Sequence, residues 1–269
     1  MRPAEALLRW YADHGRDLPW RGTRDPYRVL VSEVMLQQTQ AARVAPYYER
    51  FLARFPDERS LAAAPTADIL GAWSGLGYNR RALALQRAVR VVVREGWPPD
   101  EAGLRRLPGV GPYTAAAVAS FALGAQVAAV DTNARRVIER LDRRRRAPAA
   151  LRRRADALLP EGRAAAFNHA IMDLGATVCT ARAPRCDACP LAAACGSRGR
   201  TAAPPRPRTG GERFEDTDRY VRGRVVAALV RGAEPRVPGV TRARLERAFD
   251  GLERDGLIVR EAGEARLPD

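Results

Sequence analysis

Four cysteines constrain this chain more than any other feature, because all of them fall in one 17-residue window: Cys179, Cys186, Cys189 and Cys195. Their spacing is C-x6-C-x2-C-x5-C. The N-terminal stretch MRPAEALLRWYADHG has no long apolar run and no signal-peptide layout. No window approaches the roughly 20 apolar residues that span a bilayer. A soluble, cytoplasmic protein is therefore expected, and there clustered cysteines point to metal rather than disulfides. Structural zinc usually takes two closely spaced pairs, and only one C-x2-C pair is present. Four thiolates at loose, uneven spacing suit a 4Fe–4S cluster held by one wrapping loop, with zinc the alternative and disulfides well behind.

The residues outside that loop read as helices. Apolar positions recur at helical spacing almost throughout, and β-branched alternation is scarce until the C-terminal end. PAEALLRWYADHG, TADILGAWSGLG, NRRALALQRAVRVVVREG, PYTAAAVASFALG and TNARRVIERLD each predict a helix, several of them stopped by Gly. PYRVLVSEVMLQQTQAARVAPYYERFLARF predicts one helix that Pro46 breaks or restarts. The fold class is all-α over the first 200 residues. Residues 200–216, rich in Pro, Gly and Arg, predict a linker. Beyond it come a helix over DRYVRGRVVAALV, a second with Leu245, Ala248, Phe249 and Leu252 on one face, and two short strands in GLIVREAGEARLPD. Residues 217–269 thus predict a small winged-helix-like α+β module, with a helical tail that binds nothing as the equal alternative.

Charge narrows the partner. The chain carries 46 basic against 31 acidic residues, a net charge of +15. That balance points to a polyanion, above all nucleic acid. Every basic residue is Arg, which codon composition explains better than function does. No mechanism that needs a lysine amine can run here. The Arg runs at 143–146 and 152–154 read as solvated faces that exert a diffuse, salt-sensitive pull on DNA.

Leu107-Pro108-Gly109-Val110-Gly111 lies between two helical patterns. Glycines two apart let the backbone turn tightly and come close to another molecule. The amides that open the next helix can then hold a phosphate. This is the layout of a helix-hairpin-helix, which grips DNA without reading its sequence. Twenty residues past Gly111 comes Asp131, followed by Thr132 and Asn133. Taken alone, Asp131 reads as the cap of the helix that follows. SEVMLQQTQ, residues 32–40, places Glu33 in an apolar helix just before Gln37 and Gln38, which a packing role does not explain.

Together, the hairpin with its Asp, the cysteine loop and SEVMLQQTQ resemble the helix-hairpin-helix DNA glycosylases that carry an iron–sulfur cluster. Within them, LPWR, SEVMLQQTQ, GLGY and FNHAIMDLGATVCT resemble the adenine DNA glycosylases of the MutY type, over about Leu18 to Cys195. The resemblance implies a six-helix barrel module over 19–128, and an iron–sulfur module from 1–18 and 129–199. It implies a monomer, nucleoid-associated in a bacterium. It also implies removal of adenine from duplex DNA where it faces 8-oxoguanine or guanine.

By the same resemblance, Glu33 is the acid that protonates the everted adenine, its proton retained by desolvation. Asp131 is the ionised partner that steadies the sugar cation, and Asn133 lies beside it in the same segment. Gln38 and Thr39, with Leu76 and Tyr78, are wedges that fill the opened stack. Trp20 and Arg21 line the adenine pocket, Gly109 and Gly111 shape the hairpin, and His169 sits where relatives carry Gln or Glu. Tyr113 occupies the hairpin position at which endonuclease III-like relatives hold a lysine, so a monofunctional enzyme is expected. The usual C-terminal 8-oxoguanine-sensing domain is not expected here. The rivals are a G·T thymine glycosylase and a non-catalytic iron–sulfur DNA-binding protein.

Overall fold

Helix α9 (Thr132–Leu141) shows in miniature how the chain folds: Ala134, Val137, Ile138 and Leu141 recur at helical spacing and are all buried. Asp131 caps it, its side chain accepting from the Ala134 amide at 2.6 Å. A computed structural model describes residues 3–200, 213–261 and 264–268. Among these lie thirteen α-helices and two strands. They divide into two compact units, Met1–Val29 with Pro98–Arg106 and Val110–Arg206, and Leu30–Trp97 with Leu107–Gly109 and Pro207–Asp269.

The first unit is built around α11 (Ala164–Thr177), which is buried almost all round and packs against α9, α1 (Pro3–His14) and α8 (Pro112–Phe121). A helix apolar on every side can only be central. Leu7, Ile138, Phe167, Ile171 and Leu174 form its core. Gly175 lets α9 and α11 meet, since a Cβ there would stand 2.7 Å from Asn133 Cβ. The short α7 (Glu101–Leu104) leads into α8, and α10 (Pro148–Asp156) packs beside α9. Of the Arg run at 152–154 in α10, only Arg153 is a solvated side chain. Arg152 pairs with Glu101 and Asp156, and Arg154 pairs with Asp142.

In the second unit, α3 (Ala41–Arg54), α4 (Glu58–Ala63), α5 (Thr66–Trp73) and α6 (Arg80–Glu95) enclose Phe51, Ile69, Trp73 and Leu85. The rings of Phe51 and Trp73 meet edge to face at 5.8 Å. Pro46 does not break a helix, contrary to expectation; it lies inside α3. The break falls earlier, where α2 (Pro26–Leu36) ends and Gln38 turns to φ 58°. The reason is tertiary: Arg81 takes the last carbonyls of α2, as described below.

The C-terminal segment has α12 (Asp218–Val230), α13 (Arg242–Arg254) and an antiparallel hairpin of β1 (Val259–Glu261) and β2 (Glu264–Arg266). Two helices and a hairpin match the α+β module expected, and α12 packs on α5. The linker expected at 200–216 lies mostly outside the described residues, which omit 201–212.

Candidate active site

In the second unit, Glu33 lies on α2 and is 4% exposed, next to buried Ser32, Val34 and Met35. Beyond it the helix gives way to Gln37–Gln40, with Gln38 exposed and Thr39 half-buried. Arg81 binds this loop to the one at 74–78. One guanidinium nitrogen donates to the carbonyls of Val34 (2.9 Å) and Met35 (3.0 Å) and to that of Gln37. The other reaches Thr39 Oγ1 (3.4 Å) and the carbonyls of Leu76 (3.2 Å) and Gly77 (3.1 Å). Burial lowers the Arg81 pKa to about 10. Leu76 is buried, whereas Tyr78 is 44% exposed with φ 50°. Gln38 and Tyr78 are thus two of the three non-glycine residues with positive φ among the described residues. Backbone strain of that kind persists where the surroundings fix it, often at functional loops.

In the first unit, Asp131 is held at several points. Asn133 Nδ2 donates to Asp131 Oδ2 at 2.8 Å, and Arg136 Nη2 donates to Asn133 Oδ1 at 2.8 Å. Arg136 also donates to the carbonyls of Gly175 (2.6 Å) and Cys179 (2.8 Å). Burial pushes the Asp131 carboxyl above the usual range, against the pull of the Ala134 and Asn133 donors. The segment that delivers it is pinned from the side. The Ala129 amide donates to Asn168 Oδ1 (3.1 Å), and Ala128 donates to Asp156 Oδ1 (2.8 Å). Asn168 in turn donates to Ser120 Oγ and the Val127 carbonyl, each at 2.9 Å.

Trp20 is buried. Arg21 donates to Tyr11 Oη at 3.0 Å and to Asp173 Oδ1 at 2.7 Å. Arg16 also donates to Asp173, so this fully buried carboxylate is bound by two guanidinium groups. His169 stacks on Phe121 at 4.1 Å between centroids and lies near Tyr11. Burial and the neighbouring Arg21 charge lower its pKa to about 2, so it is neutral at physiological pH.

Gly109 has φ 75°, and a Cβ on it would stand 2.6 Å from Ala84 Cβ. Gly111 is the N-cap of α8 and gives that helix no side-chain cap. A Cβ on Gly111 would meet nothing within 4 Å, so another molecule can come close to the backbone at this turn. Tyr113 is half-buried in the first turn of α8.

The four cysteines are free thiols, each half-buried. Cys179, Cys189 and Cys195 pack against the first-unit core. Burial pushes the Cys189 thiol up, and the charges of Cys179, Cys195 and Cys186 add to the shift. Arg140 donates to Cys179 Sγ at 3.4 Å and to the Thr180 carbonyl at 2.7 Å. Among the described residues, no three His, Cys, Asp or Glu side chains are grouped closely enough for a single metal ion. The four thiols are near enough for the charges of three to act on the fourth, and a guanidinium stands beside Cys179.

Sequence reading missed Arg81, Asn168 and Asp173. Asp173 alone had a visible signal, an acid inside the apolar run AIMDLGA, the same anomaly that marks Glu33.

Comparison with known proteins decides the family. The chain is 44% identical to the adenine DNA glycosylase of Mycobacterium tuberculosis, over 97% of this chain and 92% of that protein. The chain belongs to the adenine DNA glycosylase family. Residues 31–161 match the family described as HhH-GPD superfamily base excision DNA repair protein. The human adenine DNA glycosylase is 41% identical over 72% of this chain, but that match covers only 39% of the human protein. Because the mycobacterial relative aligns over nearly its whole length, the short C-terminal segment falls within the shared region. Among solved structures, a thermostable thymine-DNA glycosylase matches with TM-score 0.68 and 33% identity, over 72% of this chain and 93% of that one. Endonuclease III trapped on DNA as a covalent intermediate matches with TM-score 0.63 and 26% identity, over 72% and 92%. The helix-hairpin-helix glycosylase fold is therefore that of this chain.

Proposed function

We propose that the chain is a monofunctional adenine DNA glycosylase of base-excision repair, acting on adenine that faces 8-oxoguanine or guanine in duplex DNA. The observation that carries this reading is the 44% identity to an adenine DNA glycosylase over 97% of the chain. The thymine-glycosylase alternative has less support, since that structure is 33% identical over 72%.

In this reading Glu33 is the general acid. It gives a proton to a ring nitrogen of the everted adenine, so that the base leaves neutral. Its burial on α2 supports the role, because a donor to an extruded base must be screened from bulk water. Asp131 stays ionised and opposes the charge that grows on the sugar as the bond to adenine breaks. Its hold on Ala134 and Asn133 supports this, since a charge that must not relax needs fixed donors. Water is the final nucleophile. With Tyr113 in the hairpin and no lysine in the chain, no side-chain amine is available to bond the sugar.

Gln38, Thr39 and Tyr78 enter the opened stack. The strained backbone at Gln38 and Tyr78 supports them more than it does buried Leu76. Trp20, Arg21 and neutral His169 form the wall against which the base rests, and Gly109 and Gly111 shape the phosphate-binding hairpin. A 4Fe–4S cluster on Cys179, Cys186, Cys189 and Cys195 would supply iron–thiolate bonds that lock the loop against α9. Their spacing, with a single C-x2-C pair, suits that group better than a lone zinc ion, which usually takes two closely spaced pairs.

The test uses duplexes carrying A·8-oxoguanine, A·G and T·G pairs. Free adenine from the first two, with strands cut only after alkali, is the expected result. Thymine release, or strand cutting without alkali, would overturn it. Iron and sulfide assays of the purified protein check the cluster, and Cys189→Ser is expected to lower both.

A further inference from the structure

A cleft of about 1280 Å³ in the second unit opens between the loops at 37–40 and 74–78 and helix α12. Its rim includes Arg43, Arg80, Arg219, Arg222 and Arg224, with Asp218 and Asp255 the acids among the described lining residues. Asp255 is taken up by Arg222 and, at 3.5 Å, by Arg80. Arg219 differs from these. Its Nη1 donates to Tyr78 Oη at 2.6 Å. Its guanidinium lies 5.3 Å from the centroid of the Tyr78 ring and 5.1 Å from that of Phe214. Among the described residues it forms no ion pair. Both rings are exposed, Tyr78 by 44% and Phe214 by 50%, although large apolar side chains on this surface are otherwise nearly all covered.

A cation close to two exposed rings, without a carboxylate to neutralise it, puts flat apolar faces and a positive charge together. That combination fits an unstacked nucleobase joined to its phosphate. The cleft is large enough for a nucleotide, and its rim has the sign of charge that attracts a DNA backbone.

We propose that α12 binds the DNA strand facing the everted adenine: one unstacked base of that strand lies against Arg219 and Phe214, and its phosphates meet Arg222 and Arg224. This rests on the reading of Tyr78 as a wedge. It makes the C-terminal segment part of the DNA-binding surface. Arg219 is hydrogen-bonded to the wedge itself, and its remaining guanidinium donors are of the kind that pair with the acceptor oxygens of a guanine-type purine.

The experiment uses the full chain and a duplex with a tetrahydrofuran abasic analogue opposite guanine, and 2-aminopurine next to that guanine. Binding is followed by anisotropy and by 2-aminopurine fluorescence. Arg219→Ala is expected to raise Kd about tenfold, which is ~1.4 kcal/mol, and to lose at least half the fluorescence change. Arg247→Ala removes an equal charge from the exposed face of α13 and is expected to move Kd less than threefold. Phe214→Ala, expected to weaken binding about fivefold, decides the matter should Arg219→Ala fail to fold. Folded Arg219→Ala that binds like Arg247→Ala, with the fluorescence change intact, overturns the proposal. The glycosylase reading fails separately, if wild-type protein binds this duplex but releases no adenine from an A·G pair.

Discussion

The Asn133 amide donates to Asp131 Oδ2 at 2.8 Å while its oxygen accepts from Arg136 at the same distance. Asn133 therefore transmits the position of an arginine anchored on the Gly175 and Cys179 carbonyls to the carboxylate. Asn133→Ala removes one donor from a buried anion. A hydrogen bond to a charged group contributes about 1.5–3 kcal/mol, so excision is expected to slow about 10- to 100-fold. Burial already raises the Asp131 pKa, and that donor opposes the shift. Losing it favours the protonated form, so the acid limb of the single-turnover rate profile moves to higher pH. A variant with an unshifted acid limb would show that Asn133 does not act through Asp131.

Glu33→Gln keeps the shape of the side chain and removes its proton. General acid catalysis is worth about 10²–10⁴-fold, and a loss of that size in single-turnover adenine release is expected. Binding to a duplex holding an abasic analogue should change little, because the acid's partner, the base, is absent from it. Excision within threefold of wild type would dismiss Glu33 as the acid.

Arg81 bonds to both loops that carry Gln38 and Tyr78. Lysine has a single nitrogen to donate from and cannot serve both loops at once. Arg81→Lys leaves several part-buried carbonyls short of donors, and a stability loss of about 2–4 kcal/mol is expected. Urea unfolding measures the loss. Hydrogen exchange should quicken at residues 37–40 and 76–78 ahead of the rest of the chain. Unchanged unfolding and exchange would leave Arg81 as a surface group.

What could be read from the sequence followed a simple division. Helices α6, α9 and α12 were legible because their apolar stripes and terminal residues act within a few positions of one another. Pro46 misled because its cost is local, whereas the break in the chain is set by Arg81, 44 residues beyond the Gln37 carbonyl it holds. Asp131 as a helix cap was legible for the same local reason. Its anchoring through Asn168 was not, since the Ala129 amide and the Asn168 oxygen are 39 residues apart. Arg21 and Asp173 are 152 residues apart, so neither announces the other. Arg152 and Arg154 looked solvated because Glu101 and Asp142 lie 51 and 12 residues before them. Polar partners brought together by folding leave no periodic trace, and these are the groups that build the site.

His169 tests the first-unit wall through proton linkage. Packing against Phe121 and the Arg21 charge lower its pKa from 6.5 to about 2. The unfolded chain therefore binds a proton below pH 6.5 that the folded chain refuses. By linkage, stability from this site is undiminished above pH 6.5 and falls as the pH drops below it, by at most ~1.4 kcal/mol per unit. His169→Gln cannot take up that proton in either state. Between about pH 7 and pH 5, wild-type protein is expected to lose about 1–2 kcal/mol more than the variant in urea unfolding. The variant starts less stable, since it loses a ring stacked on Phe121, but its curve should be flatter. Parallel curves would mean that His169 takes up its proton in the folded protein, and that the wall is open to water.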